Sequence, residues 1–349
     1  MSSLFERMKG RKGVTLMSES HVFKRKENIP TDLPILNIAF SGDLDGGLVP
    51  GLTVIAGPSK SYKSLLTLYC LKAFQEKYPD GFCVFYDCEY GITDDYFRMV
   101  GVDPSRIVHE EIENVEDLKH KLVKLLREDA TDDEKLFIMI DSIGNLASIK
   151  ELDDATDGKT VADMSRAKSL KSLFRMITPY LTKRGIPCVA INHIYMEMGL
   201  YPKAIVSGGT GIMYSANQVF IMGKSQIKDG TEIVGYDFTI NIEKSRFVRE
   251  KSKLPFSVLN NEGIKKWSSM FELGMEAGYI DAVKSGWYQT VDPETGEVSE
   301  TNRRKKEIET DDDFFEKLVN SKKFKRFVER KFKLGAGEEN SNIEDTDDE

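Results

Sequence analysis

Four short apolar runs, separated by longer stretches of helical spacing, constrain the fold more than any other feature of this sequence. They are LTVIAG (52–57), FCVFYD (82–87), LFIMID (136–141) and PCVAIN (187–192). Between them, apolar residues recur at helical spacing over 64–78, 115–128 and 165–184. Apolar strands that show no alternation and are separated by helices indicate a mainly parallel sheet with helices on both faces. The sequence therefore predicts an α/β fold.

The rest of the chain divides into regions of different composition. Three later strand candidates lack intervening helices, which predicts an antiparallel extension of the sheet at 217–223, 236–242 and 253–259. We expect a core domain over 31–265, a small C-terminal helical region over 266–334 and an acidic, disordered tail over 335–349. Residues 1–30 are polar, basic and weakly periodic, and we expect them to form an arm used in oligomerisation.

The charge of the chain is distributed unevenly. The net charge is −8, but residues 338–349 alone carry seven acids and no base. Residues 1–30 hold seven Lys or Arg against three acids, and the segment KKFKRFVERKFK (322–333) holds seven against one. Basic segments with an acidic tail are typical of a polyanion binder whose tail competes with the ligand. Ordinary solvated surface charge explains this distribution equally well.

Composition also bears on the compartment. No apolar run approaches the roughly 20 residues of a membrane span, and the first residues lack the apolar stretch of a signal peptide. The four cysteines form no C-x-x-C pair and lie mostly in apolar runs, which indicates buried free thiols. We therefore expect a cytoplasmic protein with no membrane partner.

The octapeptide GPSKSYKS (57–64) nearly matches the phosphate-binding pattern G-x-x-x-x-G-K-[ST]. It follows an apolar strand and precedes an amphipathic helix, where unpaired backbone N–H groups and the helix dipole bind anions. Tyr62 replaces the second glycine of the pattern. We predict that the whole loop binds a nucleoside triphosphate, through Gly57, Pro58, Ser59, Lys60, Ser61, Tyr62, Lys63 and Ser64. Lys63 would reach the β- and γ-phosphates, and Ser64 would ligate Mg²⁺.

Two carboxylates follow neighbouring strand candidates. Asp141 ends LFIMID and would hold the hydration shell of Mg²⁺ at the carboxyl edge of the sheet, although a helix cap or turn is the common role of such a residue. Glu89 follows FCVFYD and is a candidate general base, against the ordinary alternative of a strand-end acid. The phosphate loop and Asp141, in this order, predict nucleoside triphosphate binding.

Several segments together resemble a known family. IAFSGDLDGGLVPGLTVIAGPSKSYKS, FYDCEYGITDDYFRMVGVDP, FIMIDSIGNLA, CVAINH and INIEKSR occur in the order and spacing of the core of RecA-type recombinases. The aromatic residue in the phosphate loop, with DSIGNLASIKE, SRAKSLKSLFR, SGGTGIMYSA and GWY, resembles the recombinases of T-even phages. The resemblance covers almost the whole chain and implies a RecA-like ATPase core.

The resemblance also implies roles for individual residues. Lys63, Ser64 and Asp141 match the residues that hold the phosphates and Mg²⁺, and Glu89 matches the catalytic glutamate. Tyr96 matches the aromatic that stacks on adenine. His193 occupies the position of a glutamine that senses the γ-phosphate, although a strand-end histidine is its ordinary alternative.

Two basic residues in INIEKSR, Lys244 and Arg246, match residues that reach the ATP of the adjacent subunit. Surface charge on an edge strand is the alternative interpretation. A cation supplied across an interface completes a transition-state site only when subunits are assembled.

Two polar segments resemble the DNA-binding loops of the family. The first, 148–162, is aperiodic and leads into a helix with three basic residues, Arg166, Lys168 and Lys171. Its acids count against direct phosphate contact by the loop itself. The second, 197–215, is glycine-rich, and its candidates are Tyr201, Lys203, Gly208 and Gly209. Without the resemblance, both would be ordinary surface loops.

The combined prediction is a DNA-dependent ATPase that forms helical filaments on single-stranded DNA and exchanges strands with duplex DNA. Its ligands would be ATP and Mg²⁺, and its partners further copies of itself, a phage single-stranded DNA-binding protein and a recombination mediator, in the host cell cytoplasm. Two alternatives remain open. One is a hexameric helicase or translocase with the same core, and the other is a non-catalytic mediator that loads another recombinase.

Overall fold

The computed structural model describes residues 3–9, 11–20, 27–159, 164–197, 199, 203–259 and 263–336. Its first two helices are α1 (Ser3–Lys9) and α2 (Pro34–Ser41). The predictions that 1–30 mediates oligomerisation and that 335–349 is disordered fall partly outside these residues and stay predictions. Among the described helices, none combines the length and the apolar character that a membrane span requires.

One large sheet organises the core. Its first strands are β1 (Gly51–Gly57), β2 (Phe82–Asp87), β3 (Ile107–Glu111), β4 (Leu136–Asp141) and β5 (Pro187–Met196). They continue as β6 (Ala204–Val206), β7 (Gln218–Asp229), β8 (Glu232–Ser245), β9 (Lys253–Leu259) and β10 (Gly263–Ile264). The order is β10-β9-β8-β7-β1-β5-β4-β2-β3, with β6 paired to β5.

The strand directions confirm the predicted α/β class. β7, β1, β5, β4, β2 and β3 run parallel, whereas β8, β9 and β10 extend the sheet antiparallel. The apolar strands β1 and β4 are buried over their whole length. Each face of the sheet carries its own hydrophobic cluster, as expected for strands without polar alternation.

Helices cover both faces. They are α3 (Lys63–Lys77), α4 (Asp94–Val100), α5 (Val115–Lys124), α6 (Ile149–Thr156), α7 (Ser165–Arg184) and α8 (Thr210–Ser215). Capping side chains and glycines mark where some of these helices begin and end. Asn114 caps α5 by accepting the N–H of Asp117 at 2.8 Å, and Gly185 ends α7 with a left-handed φ of 75°.

Three elements differ from the sequence prediction. The segment 148–162 is not a loop throughout, because α6 occupies most of it, and Ser148 caps that helix by accepting the N–H of Glu151 at 3.1 Å. The edge strand β3 was missed because its exposed face breaks the apolar run. Strand β5 continues past the predicted end and pairs with β6 through Ile194, Tyr195 and Met196.

The C-terminal region contains a hairpin as well as helices. Its elements are α9 (Met270–Glu276), β11 (Ile280–Lys284), β12 (Trp287–Thr290), α10 (Lys305–Ile308), α11 (Asp312–Asn320) and α12 (Lys322–Phe332). Phe315 and Phe324 are fully buried and belong to the same hydrophobic cluster as Phe238 of the sheet. The C-terminal region therefore shares the hydrophobic core of the large sheet.

Helix α12 carries the basic segment that suggested a polyanion binder. Lys325 pairs with Asp45 at 2.8 Å, Lys333 pairs with Asp43 at 3.1 Å, and Lys331 pairs with Glu276. Part of the positive charge is thus neutralised inside the molecule. The basic residues that stay exposed on this helix are Lys322, Lys323, Arg326 and Arg330.

We predict that Phe324→Ala lowers the free energy of unfolding by about 3–5 kcal/mol, because it removes a fully buried ring and leaves a cavity. Phe327→Ala on the same helix is the control and should cost clearly less, since Phe327 is only partly buried. Urea unfolding, followed by fluorescence and circular dichroism, measures both. Equal small losses in the two variants would contradict the shared core.

Candidate functional site

The phosphate loop connects β1 to α3 as predicted. Tyr62, at the position of the second glycine, has φ 57° and ψ 24°, the left-handed conformation that glycine adopts most easily. Its ring packs edge-on against Phe238 of β8, with 5.1 Å between the ring centroids. The aromatic thus keeps the backbone geometry of glycine, and its packing on the core offsets the conformational cost.

Lys63 is folded into the loop. Its Nζ donates to the carbonyl oxygens of Pro58 at 2.8 Å and Gly57 at 3.3 Å, and the residue is only 6% exposed. Burial lowers the pKa of this amine, while Asp141 and Glu89 act in the opposite direction. The ammonium group therefore lies within the loop that is predicted to hold phosphates, where an anion would stabilise its charge.

Ser64 and Asp141 meet at the mouth of the loop. The Ser64 hydroxyl donates to Asp141 Oδ2 at 2.6 Å, which joins the first turn of α3 to the end of β4. Burial raises the pKa of Asp141 to about 6, although the hydrogen bond from Ser64 lowers it. A hydroxyl and a carboxylate in contact are a donor set that suits Mg²⁺, which prefers oxygen ligands and would favour the ionised carboxylate.

Glu89 and His193 lie beside this pair. His193 Nε2 is 3.8 Å from Glu89 Oε2 and 3.3 Å from Ser142 Oγ. Burial and, less strongly, Lys63 lower the pKa of His193, so the ring is neutral at pH 7. A Cβ on Gly144 would approach His193 Cδ2 to 2.4 Å, so this position accepts only glycine while the ring is held here.

An open cleft of 460 Å³ brings most of the predicted residues together. Its walls include the predicted nucleotide-contacting residues Ser59, Lys60, Ser61, Tyr62, Lys63, Ser64, Glu89, Tyr96, Asp141 and His193. Lys224 and Tyr236 also line the cleft, although the sequence did not predict them as site residues. Lys224 Nζ donates to the Lys60 carbonyl at 3.0 Å and lies 4.0 Å from the centroid of the Tyr236 ring. No local motif marks these residues, because β7 and β8 lie far along the chain from the loop.

Comparison with known proteins assigns the chain to a family. The model of the RecA N-terminal domain matches residues 3–265, and the model of the C-terminal domain of the bacteriophage T4 recombination and repair protein matches residues 267–328. The chain belongs to the RecA family.

Individual relatives agree with this assignment. The recombination and repair protein of Enterobacteria phage T4 is 43% identical over 95% of this chain and 86% of its own length. The RecA proteins of Ruegeria pomeroyi and Bacteroides thetaiotaomicron are 28% and 27% identical, over 73% and 82% of this chain and 72% and 84% of their own lengths. The resemblance to RecA-type and T-even phage recombinases is confirmed.

The two candidate cations for a neighbouring subunit do not line the cleft of this RecA-family chain. Lys244 Nζ donates to the carbonyls of Met213 and Ala216, each at 2.7 Å, and so caps the C-terminus of α8. Burial and the neighbouring Arg246 lower the pKa of Lys244. Arg246 is exposed, and none of the described residues forms a hydrogen bond or ion pair with it. Their action across an interface stays a prediction.

Of the described residues predicted to bind DNA, Arg166 is the one whose side chain is held inside this RecA-family chain. Arg166 is half-buried, and its guanidinium donates to the carbonyls of Leu146 at 2.5 Å, Ile143 at 2.9 Å and Gly144 at 3.1 Å. Burial lowers the pKa of this side chain. Arg166 therefore holds the turn after Asp141 and is not a free cation in this conformation.

The other DNA candidates lie at the surface or in loops. Lys168, Lys171 and Lys203 are exposed, and Gly208 and Gly209 have φ values of 93° and 81°. Tyr201 lies outside the described residues, and its role stays a prediction.

Exposed aromatics near these loops were missed in the sequence. Tyr195 is 54% exposed on the extension of β5, and Tyr214 is 78% exposed on α8. Exposed aromatics beside lysines are typical of surfaces on which bases stack. Their position became apparent only from the extension of β5 and the short helix α8.

We predict that Asp141→Asn stabilises the nucleotide-free, Mg²⁺-free protein at neutral pH. The pKa of Asp141 in the folded state, about 6, lies above the ordinary value of 3.8, so its ionisation weakens folding. The cost appears as pH rises from about 4 towards 7, and at pH 8 the variant should be more stable by about 2–3 kcal/mol.

Denaturant unfolding at pH 4 and pH 8, in chelator, measures this difference, with Asp95→Asn on an exposed site of α4 as the control. A stability difference that does not grow between the two pH values would contradict the raised pKa.

Proposed function

We propose that this RecA-family protein is an ATP-dependent recombinase, which assembles on single-stranded DNA and exchanges strands during recombination and repair. The observation that carries the proposal is the contact between Ser64 and Asp141 at 2.6 Å, beside Lys63, in a chain of this family. This contact supports the proposal because it brings two oxygen donors of the kind that Mg²⁺ prefers to the mouth of the phosphate loop.

Each residue of the cleft has a separate role in the proposed hydrolysis of ATP. The N-terminus of α3 and Lys63 bind the β- and γ-phosphates, and Ser64 and Asp141 would hold Mg²⁺, which supplies positive charge next to the transferring group. Glu89 accepts the proton of the attacking water. His193, neutral at pH 7, donates or accepts a hydrogen bond beside Glu89 and senses the γ-phosphate.

Two elements connect this chemistry with the proposed DNA surface. Strand β5 carries His193 at one point and the exposed Tyr195 two residues later. The N–H of Ser207 donates to the His193 carbonyl at 2.9 Å, and the Asn192 amide donates to the Ser207 carbonyl at 2.8 Å. A shift of the His193 backbone on nucleotide binding would therefore move the segment that holds Gly208.

The DNA surface would bind backbone and bases without reading sequence. Lys168, Lys171 and Lys203 would contact phosphates, and Tyr195 and Tyr214 would stack on bases. The exposed basic residues of α12 are not part of this surface, because α12 and α7 pack in different hydrophobic clusters. Arg166 contributes indirectly, because it holds the turn between Asp141 and α6.

Assembly and partners complete the proposal. Lys244 and Arg246 would reach the nucleotide of an adjacent subunit, so hydrolysis would depend on assembly of the filament on DNA. Duplex DNA is the second substrate. A phage single-stranded DNA-binding protein and a mediator would assist loading, and the complex would act in the host cell cytoplasm.

We predict that the protein with single-stranded DNA, Mg²⁺ and a slowly hydrolysed ATP analogue forms helical filaments in electron microscopy. Lys63→Ala should abolish ATP hydrolysis, since it removes the positive charge that would contact the transferring phosphoryl group. Tyr62→Gly is the matched control and should retain hydrolysis within a few-fold, because glycine adopts the same backbone conformation. Closed rings would indicate a helicase or translocase, and neither filaments nor rings would indicate a mediator.

A mixing experiment tests the role of the interface cations. Arg246→Ala and Lys63→Ala subunits should each be inactive alone on single-stranded DNA. The first lacks the cation that would reach the nucleotide of the adjacent subunit, and the second lacks the lysine of its own phosphate loop. Mixed filaments contain interfaces that pair an intact loop with an intact Arg246 and should recover part of the ATPase rate. No recovery in filaments shown to contain both proteins would exclude action across the interface.

A further inference from the structure

Few side-chain contacts fix the candidate general base. Glu89 lies in irregular backbone between β2 and α4, and its side chain is 40% exposed. Its one ion pair among the described residues is with His193, at 3.8 Å. A carboxylate that must hold an attacking water needs a more closely defined position, since small displacements of catalytic groups cost rate. The backbone around Glu89 therefore has to be held by other residues.

Asp87, the last residue of β2, provides that support. Its Oδ1 accepts the N–H of Glu89 at 3.1 Å and the N–H of Tyr90 at 2.7 Å. Tyr90 has a φ of 55°, so the chain turns sharply at this point. The N–H of the intervening Cys88 donates to the Asp141 carbonyl at 2.7 Å, which fixes the same turn to the end of β4. The turn that carries Glu89 is thus built on the carboxylate of Asp87.

His109 holds the other oxygen of that carboxylate. The Asp87 side chain is 6% exposed, and its Oδ2 lies 3.1 Å from Nε2 of His109 on the edge strand β3. A carboxylate accepts hydrogen bonds, so Nε2 carries the proton and donates. The His109 ring also packs on Phe85 of β2, with 5.5 Å between the centroids. Without His109, a buried carboxylate oxygen would lose this donor, and its orientation would no longer be fixed.

We propose that Asp87 and His109 are a positioning pair for the general base: His109 orients the Asp87 carboxylate, which holds the backbone of Glu89 and Tyr90. The inference rests on the proposed ATP hydrolysis for its kinetic readout. A purely structural role, in which the pair only joins β3 to β2, would change stability without acting through Glu89. The two roles therefore differ in how their effects combine with the loss of Glu89.

The kinetic test measures ATP hydrolysis by the full chain on single-stranded DNA. Asp87→Ala should lower kcat by about 10²-fold, the scale of a misplaced catalytic group, with nucleotide affinity nearly unchanged. His109→Ala should lower kcat by roughly tenfold, since one hydrogen bond to a charged group is lost. His109→Gln should recover most of this loss because its amide N–H donates. His120→Ala, at an exposed histidine of α5, is the matched control and should match the unmodified protein.

A double-mutant cycle tests whether the pair acts through Glu89. In a Glu89→Ala background, His109→Ala should cause no further loss of kcat, because the group that it positions is absent. An equal fold-loss in both backgrounds, or unchanged kcat in His109→Ala, would overturn the inference. Absence of hydrolysis by the unmodified protein would instead contradict the proposed function.

Amide hydrogen exchange provides a readout that does not require hydrolysis. His109→Ala should accelerate exchange in the segment that contains Glu89 and Tyr90, and leave exchange in β1 and β4 unchanged. His109→Gln should restore protection. Unchanged exchange in this segment would overturn the inference even if the protein hydrolysed no ATP, and loss of protection throughout the sheet would show a structural role instead.

Discussion

The hydrogen bond between Ser64 and Asp141 is the interaction on which the rest of the site depends. It fixes the start of α3 against the end of β4, a central strand that pairs with β2 and β5. The neighbours of Asp141 then position the other groups. Its carbonyl accepts the N–H of Cys88, next to Glu89, and the following Ser142 lies 3.3 Å from His193. Because these strands are parallel, their carboxyl ends meet at one edge, and a phosphate site can form there.

In the nucleotide-free cleft, burial disfavours the charged forms of Lys63 and Asp141. Burial lowers the pKa of Lys63 and raises that of Asp141, so the ionised form of each is destabilised. In the proposed function, triphosphate and Mg²⁺ would supply further counter-charges to these two groups. Two residues whose charges weaken the free protein would therefore be stabilised on binding, as is common at sites selected for function rather than stability.

Local patterns predicted the sheet and the phosphate loop, because both are encoded in contiguous residues. The N-cap signal of α6 was also local, since Ser148 and Glu151 have capping spacing, but the polar, aperiodic sequence of 148–162 favoured a loop. Other features depend on contacts between distant segments and leave no local pattern. Examples are Lys224 at the Lys60 carbonyl and His109 at Asp87. Tyr62 shows a third case, in which a mismatched residue adopts the backbone conformation of the motif.

Helix α8 links the three parts of the proposed mechanism. Its N-terminus follows Gly208 and Gly209 in the DNA-loop segment, which Ser207 joins to His193. Its C-terminal carbonyls are held by Lys244. In the proposed filament, Lys244 would leave these carbonyls to reach the phosphate of a neighbour, and the end of α8 would lose its donor. Nucleotide on one subunit would then bias the DNA segment of the next, and DNA that orders this segment would alter nucleotide affinity by the same factor, as linkage requires.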